Sequence, residues 1–167
     1  MTAATAARAK EARVDAPTAS KARLRLWLRI LKVQRILERD LRERLRVEFE
    51  TTLPRFDVLA ALHRAGAGLT MGELSGVLRV SNGNVTGIID RLVADGLVER
   101  LPVEGDRRAM VVRLTATGTA HFAEQARGHE AWVSELLSSV DRDEAETLTA
   151  ALAAIGHDLD RQKGTRT

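Results

Sequence analysis

The residues best suited to chemistry lie between Ser81 and Asp95. Val85, Ile88, Ile89, Leu92 and Val93 recur at i, i+3, i+4, i+7 and i+8, which predicts a helix with one buried stripe. With that stripe at the bottom, Gly83, Asn84, Gly87, Asp90 and Arg91 lie on top, and Asn82 and Thr86 on the flanks. Glycine inside a helix costs roughly 0.5–1 kcal/mol relative to alanine. Two glycines on one solvent-facing side therefore need a reason: either they pack near a neighbouring helix, or a large partner must approach that side closely. Asparagine can pair with the N6 and N7 edge of adenine, and threonine can meet the methyl of thymine. The groove of double-stranded DNA is such a partner. Arg79 and Ser81, just before the helix, complete this candidate DNA-contact set.

A second candidate is the run Gly105-Asp106-Arg107-Arg108. Two arginines at the tip of a hairpin suit a narrow minor groove, where the negative potential is enhanced. Asp106 would orient one of them. Charged hairpin tips are usually only solvated, so the run gains its weight from what precedes it.

What precedes it is a helix-turn-helix. Thr52 before Leu53-Pro54 is a start signal, and Phe56, Leu59, Ala60 and His63 follow at helical spacing up to Gly66-Ala-Gly68. Thr70-Met-Gly-Glu73 is a capping box, which opens a short helix with Leu74, Val77 and Leu78 inward. It ends at Arg79-Val80, Ser81 is placed to cap the next helix, and Gly96 stands where the end of that helix needs positive φ. Leu97–Pro102 and Met110–Leu114 are β-type runs joined by a polar loop, Val103–Ala109, and predict a hairpin wing. Thr115 caps a helix carried by Phe122, Ala126, Val133, Leu136, Leu137 and Val140, and a last helix carries Leu148, Leu152, Ile155 and Leu159.

Ahead of all this, Lys21 to about Glu50 forms one long helix with apolar rows on more than one side and a surface crowded with Arg and Lys. The fold class is thus mainly α with a small β-hairpin wing: a winged helix-turn-helix lobe plus a helical region. Residues 1–20 and 161–167 are expected to be flexible tails.

Composition narrows the function classes. A hydrophobic share of 44 % in 167 residues is enough for a packed core. The net charge is only +3, but the basic excess sits mainly in the N-terminal half, the distribution of a chain that meets polyanions. Without cysteine there is no disulfide, thiolate ligand or thiol redox sensor. No apolar run is long enough to span a bilayer, and the first residues lack the apolar stretch of a secretory signal, so a cytoplasmic location is expected. An enzyme would need a constellation that is missing: His63, His121, His129 and His157 are scattered, with no HExxH, nucleophile elbow or phosphate-cradling glycine loop. The remaining rival is a sequence-indifferent architectural DNA-binding protein, which needs the basic surface but not the amide-bearing face.

The stretch from Val80 to Arg100, the Gly105–Arg108 wing and Leu114-Thr-Ala-Thr-Gly118 resemble the multiple-antibiotic-resistance regulator (MarR) family over about Lys21 to Leu159. The resemblance implies a homodimer whose base is built from 21–50 and 116–160, with 51–115 as the DNA-binding lobe. It also implies a pseudo-palindromic operator and, by default, repression relieved by a ligand. By family position Gly83, Asn84 and Gly87 fall at base contacts, and Arg107 or Arg108 at the minor-groove tip. Gly87 stands where some relatives carry a base-reading arginine, which shifts readout toward Asn82, Asn84, Thr86 and the wing. No cofactor or metal is implied.

The resemblance further implies a small-molecule effector, an aromatic carboxylate or an aryl-CoA thioester, bound between the base and the lobe. Trp27, Leu31, Phe56, Leu59, His63 and Phe122 are its candidate walls, and the basic first helix, with Arg23, Arg25, Arg29, Lys32 and Arg35, is a candidate counter-charge. The alternative is that the aromatics are plain core and the basic helix a solvated face.

Overall fold

The first helix, α1 (Ala3–Phe49), starts well before Lys21 and occupies most of the tail expected over 1–20. Ala3, Ala4, Ala6, Ala7, Ala9 and Ala12 are strong helix formers, so propensity acts there without an apolar stripe. The computed structural model describes the backbone of residues 3–103 and 106–164, and within these the side chains of 18–81, 83–102 and 110–162. By contact the chain divides into one unit over residues 1–126 and a second over 127–167.

In the first unit, α1 turns at Glu50, which takes a left-handed φ of 49°. Helix α2 (Leu53–Ala65) follows, with Pro54 in its first turn and Gly66 at φ 64° beyond its end. Leu41 and Leu45 of α1 are buried with Phe56, Val58, Leu59, Ala61 and Leu62 of α2. Each large apolar side chain among them contributes about 1.5–3 kcal/mol of transfer free energy.

Asp57 is influenced by two charges of α1. Partial burial, and after it the Glu38 carboxylate, raise its pKa, while Arg42 pulls it down. The folded state therefore holds this proton more tightly than the unfolded chain does. Asp57 opposes folding above its raised pKa, and that opposition fades as pH falls through it. Asp57 nevertheless remains exposed, so water screens much of this effect. Asp57→Asn is expected to raise the thermal midpoint at pH 7 by no more than about 1 °C, with the gain shrinking in acid. A midpoint lowered at pH 7 would contradict this.

Next come β1 (Leu69–Thr70), α3 (Met71–Leu78), α4 (Asn82–Ala94), β2 (Val98–Val103) and β3 (Asp106–Leu114). The strands form one antiparallel sheet in the order β1-β3-β2. The sequence predicted a hairpin alone; β1, a two-residue strand paired Leu69↔Val112 and Thr70↔Val111, is too short to show any periodicity. Gly68 makes that pairing possible. Its φ is 96°, and a Cβ there would lie 2.5 Å from Val111 Cγ1 and 2.6 Å from the carbonyl oxygen of Val112.

The wing also differs from expectation. Pairing runs regularly from Val98↔Leu114 to Pro102↔Met110 and resumes at Val103↔Asp106, so residues 107–109 are extra on β3. Strand backbone thus replaces most of the expected 103–109 loop. Polar side chains suggested a loop, but an antiparallel hairpin can present polar residues to water without losing its pairing.

Helix α5 (Ala116–Leu136) starts in the first unit. Its first-turn amide, Gly118 N, donates to Thr115 Oγ1 at 2.9 Å, as the cap reading requires. In the second unit, α6 (Arg142–Gly164) extends past residue 160 into the expected C-terminal tail. It carries Leu148, Leu152, Ile155 and Leu159 at helical spacing, each 41–54 % exposed. Among the described residues no helix is long and apolar enough to cross a membrane.

Candidate nucleic-acid interface

The capping box forms as the sequence predicts. Glu73 N donates to Thr70 Oγ1 at 3.3 Å, and Thr70 N donates to Glu73 Oε2 at 2.8 Å. The bonds that Glu73 accepts from Thr70 hold its carboxyl below its usual pKa. Leu74 is buried and Leu78 half-buried, but Val77, expected inward, is 55 % exposed. The short helix is only eight residues, and its two turns leave one buried row rather than a broad face.

Arg79 closes α3 in the left-handed region at φ 54°, and its amide donates back to the carbonyls of Gly76 and Ser75. Only Val80 and Ser81 then separate it from α4. Ser81 occupies the cap position of α4 but makes no side-chain cap bond. Its backbone carbonyl accepts from the amides of Asn84 and Val85 instead.

Helix α4 buries Val85, Ile89 and Leu92 completely, with Ile88 and Val93 half-buried. Gly83, Asn84, Thr86, Gly87, Asp90 and Arg91 are all exposed. A Cβ built on Gly83 or on Gly87 would meet nothing within 4 Å. The two glycines therefore do not serve packing inside the subunit. They lower the profile of a face that is open to an external partner.

Ion pairs fix α4 to its surroundings. Arg100 on β2 donates to Asp90 at 2.6 Å, and Arg55 on α2 pairs with Asp95 just beyond the helix end. Asp90, on the open face, is thereby committed to the wing strand. Exposed pairs of this kind contribute about 0–1 kcal/mol each, so orientation is their larger effect.

The junction between α4 and the wing is tighter. Thr115 N donates to the Leu97 carbonyl at 3.1 Å, and Thr115 Oγ1 donates to the Gly96 carbonyl at 2.8 Å. Gly118 lies directly on this clamp: a Cβ there would sit 1.8 Å from the Leu97 oxygen. The close approach was not foreseen from the sequence; the glycine one turn into a Thr-capped helix was the available signal.

Asn82 begins α4, and Asp106, Arg107 and Arg108 begin β3, but their side chains lie outside the described residues, as Glu104 and Gly105 do entirely. Arg107 and Arg108 belong to the extra residues of the hairpin end.

Of the candidate effector residues, the structure gathers Phe56, His63 and Phe122. The Phe56 and Phe122 rings are 5.6 Å apart, and His63 and Phe122 4.9 Å apart, both within aromatic-pair range. Leu59 is buried on the same face of α2. Trp27 is 55 % exposed, Leu31 half-buried and Arg35 exposed. Trp27 stands about 21 Å along α1 from Leu41, where that helix becomes buried. Sequence reasoning missed Gln125, which is fully buried with Nε2 2.8 Å from His121 Nε2 and no hydrogen-bond partner on Oε1. Among the described residues no cluster of His, Asp or Glu can hold a metal ion.

A helix-turn-helix with an open, amide-bearing second helix, followed by a small antiparallel sheet, defines a winged helix-turn-helix DNA-binding protein. Residues 50–109 match the MarR family. The chain is 38 % identical over 109 residues to the multiple antibiotic resistance protein MarR of Escherichia coli, a match covering 64 % of this chain and 74 % of that one. It is 30 % identical over 110 residues to the transcriptional regulator PecS of Dickeya dadantii, covering 65 % of this chain and 66 % of PecS. The crystal structure of a point mutant of E. coli MarR complexed with operator DNA superposes with a TM-score of 0.68 at 34 % identity, over 78 % of this chain and 92 % of that one. The chain belongs to the MarR family, a family of transcriptional regulators.

Proposed function

We propose that this protein is a cytoplasmic, ligand-responsive regulator that binds a pseudo-palindromic operator as a homodimer, and that it is a repressor released by a small aromatic acid or an aromatic acyl-CoA thioester. One observation carries the DNA reading: the α4 face is exposed and empty at both glycines, beside Asn84 and Thr86. Helix N-terminal residues are those that a helix-turn-helix presents to base edges. The homodimer is supported by apolar side chains left exposed on single helices, Leu24 and Trp27 on α1 and Leu148, Leu152 and Leu159 on α6.

The test is competition binding at fixed salt between selected palindromic sites and random duplex. A regulator prefers its site by about a thousand-fold or more, whereas phosphate attraction alone discriminates by a few-fold. Preference of only a few-fold identifies an architectural DNA binder and ends the regulator reading. Within the site, Asn84→Ala is expected to relax base preference at one position per half-site and to weaken operator binding by about 1–3 kcal/mol. Unchanged specificity would remove Asn84 from the contact set.

The effector reading rests on the Phe56–His63–Phe122 cluster. One turn along α5 from Phe122, the unpartnered Gln125 Oε1 offers an acceptor to a ligand hydroxyl. Calorimetric titration with aromatic acids and their CoA thioesters tests it, and a flat response to every compound rejects it.

A further inference from the structure

Helix α1 carries charge in two contrasting ways. From Glu38 onward acids and bases alternate and pair within the helix: Glu38 with Arg42, Asp40 with Arg44, Glu43 with Arg46. Between Asp15 and Glu38 there is no acidic residue at all, yet Lys21, Arg23, Arg25, Arg29, Lys32 and Arg35 fall there.

Lys21, Arg25, Arg29, Lys32, Arg35 and Arg39 are spaced four, four, three, three and four residues apart, so they form one continuous row along the helix. Every one is exposed, and none has an ion-pair partner among the described residues. Leu28, also exposed, lies within the row. Like charges at these spacings repel and weaken a helix. A merely solvated face would mix both signs, as the other half of α1 does.

We infer that this row is a second nucleic-acid surface, which binds the phosphate backbone of a duplex without reading sequence, separately from α4. Length selects the partner. The row runs about 27 Å, enough to cross a major groove of about 12 Å and reach both flanking backbones. A small anion would occupy only one or two of its positions. Leu24, Leu26 and Trp27 are exposed in the same stretch, but Leu24 and Trp27 are among the apolar side chains assigned above to the homodimer. That leaves the charged row to a polyanion and makes a bilayer the alternative that the vesicle measurement decides.

The test compares wild type with a variant carrying Lys21→Gln, Arg25→Gln, Arg29→Gln, Lys32→Gln and Arg35→Gln. Glutamine has nearly the helix propensity of the residues it replaces, and circular dichroism checks that the helix persists. Binding to random-sequence duplex is measured across a salt series, where each phosphate neutralised adds about 0.9 to the log–log slope. The variant slope is expected to be shallower by roughly 3–4. Wild type held on one immobilised duplex is expected to capture a second, labelled duplex, and the variant is not.

An unchanged slope, or equal capture, overturns the inference. So does loss of the dimer in sedimentation of the variant, which would place the row between copies, or a preference of wild type for phosphatidylserine vesicles over duplex. Operator preference does not enter these measurements, so their failure leaves the proposed regulator function standing, and the reverse also holds.

Discussion

Gly118→Ala is expected to destabilise the first unit by about 3 kcal/mol or more, at the upper end of what overpacking costs, and to do so without touching any residue proposed to meet DNA. Overpacking usually costs about 1–3 kcal/mol because side chains yield. Here the obstacle is backbone, with the added Cβ 1.8 Å from the Leu97 oxygen and 2.8 Å from its carbonyl carbon. Relief requires α5 to move off the β2 entry, which stretches the Thr115 bonds to Gly96 and Leu97 together. Against a total stability of about 5–15 kcal/mol, that is a large fraction. Urea unfolding should show a lower midpoint at unchanged m. Gly76→Ala in α3, with nothing within 4 Å of its added Cβ, serves as the opposite control and should gain about 0.5–1 kcal/mol. A wild-type midpoint for Gly118→Ala would mean that the clamp is not the close contact described.

Two kinds of glycine thus stand in one lobe, and the sequence does not distinguish them. Gly118 and Gly68 permit close approach of backbone. Gly83 and Gly87 leave space that the subunit itself never fills. Helical periodicity placed the latter pair on the solvent side of α4, because Val85, Ile89 and Leu92 fixed which side was inward. It left open whether a neighbouring helix covered them. That question is tertiary, and only the folded arrangement answers it.

The same division runs through the rest of the fold. Capping chemistry was legible because it is local: the Thr70–Glu73 box and the Thr115 cap involve residues three apart. Ser81 was legible as a boundary but not as a bond, since its side chain makes no cap contact. Strand β1 was illegible because its existence depends on β3, more than forty residues away. Val77 was misplaced because a short helix packed on one side does not bury every apolar position. Among candidate effector residues, spacing shows only that Phe56 and His63 share a face of α2; that Phe122 of α5 meets both is tertiary and was not legible. Trp27 was grouped with them through the family resemblance and its residue type, and neither gives distance along α1.

Gly87→Leu is expected to separate stability from binding. Leucine is a far better helix former than glycine, and the site is exposed with nothing within 4 Å of an added Cβ. The folded protein should therefore gain about 0.5–1 kcal/mol. Operator binding should instead fall at least a hundred-fold, equivalent to about 2.7 kcal/mol. The branched side chain would hold α4 away from the groove floor and lengthen every contact made by Asn84 and Thr86. The substitution changes no charge, so the phosphate-driven affinity for random duplex should fall much less, and its salt dependence should persist. Gly87→Ala should lie between, with most of the stability gain and a smaller binding loss. A purely structural glycine would behave oppositely, losing stability first and DNA affinity only in consequence. If Gly87→Leu binds operator within about three-fold of wild type, where a real groove contact predicts about a hundred-fold loss, then this side of α4 does not enter the groove and the contact set centred on Asn84 must be abandoned. If it destabilises the fold, the open space above Gly87 is not there.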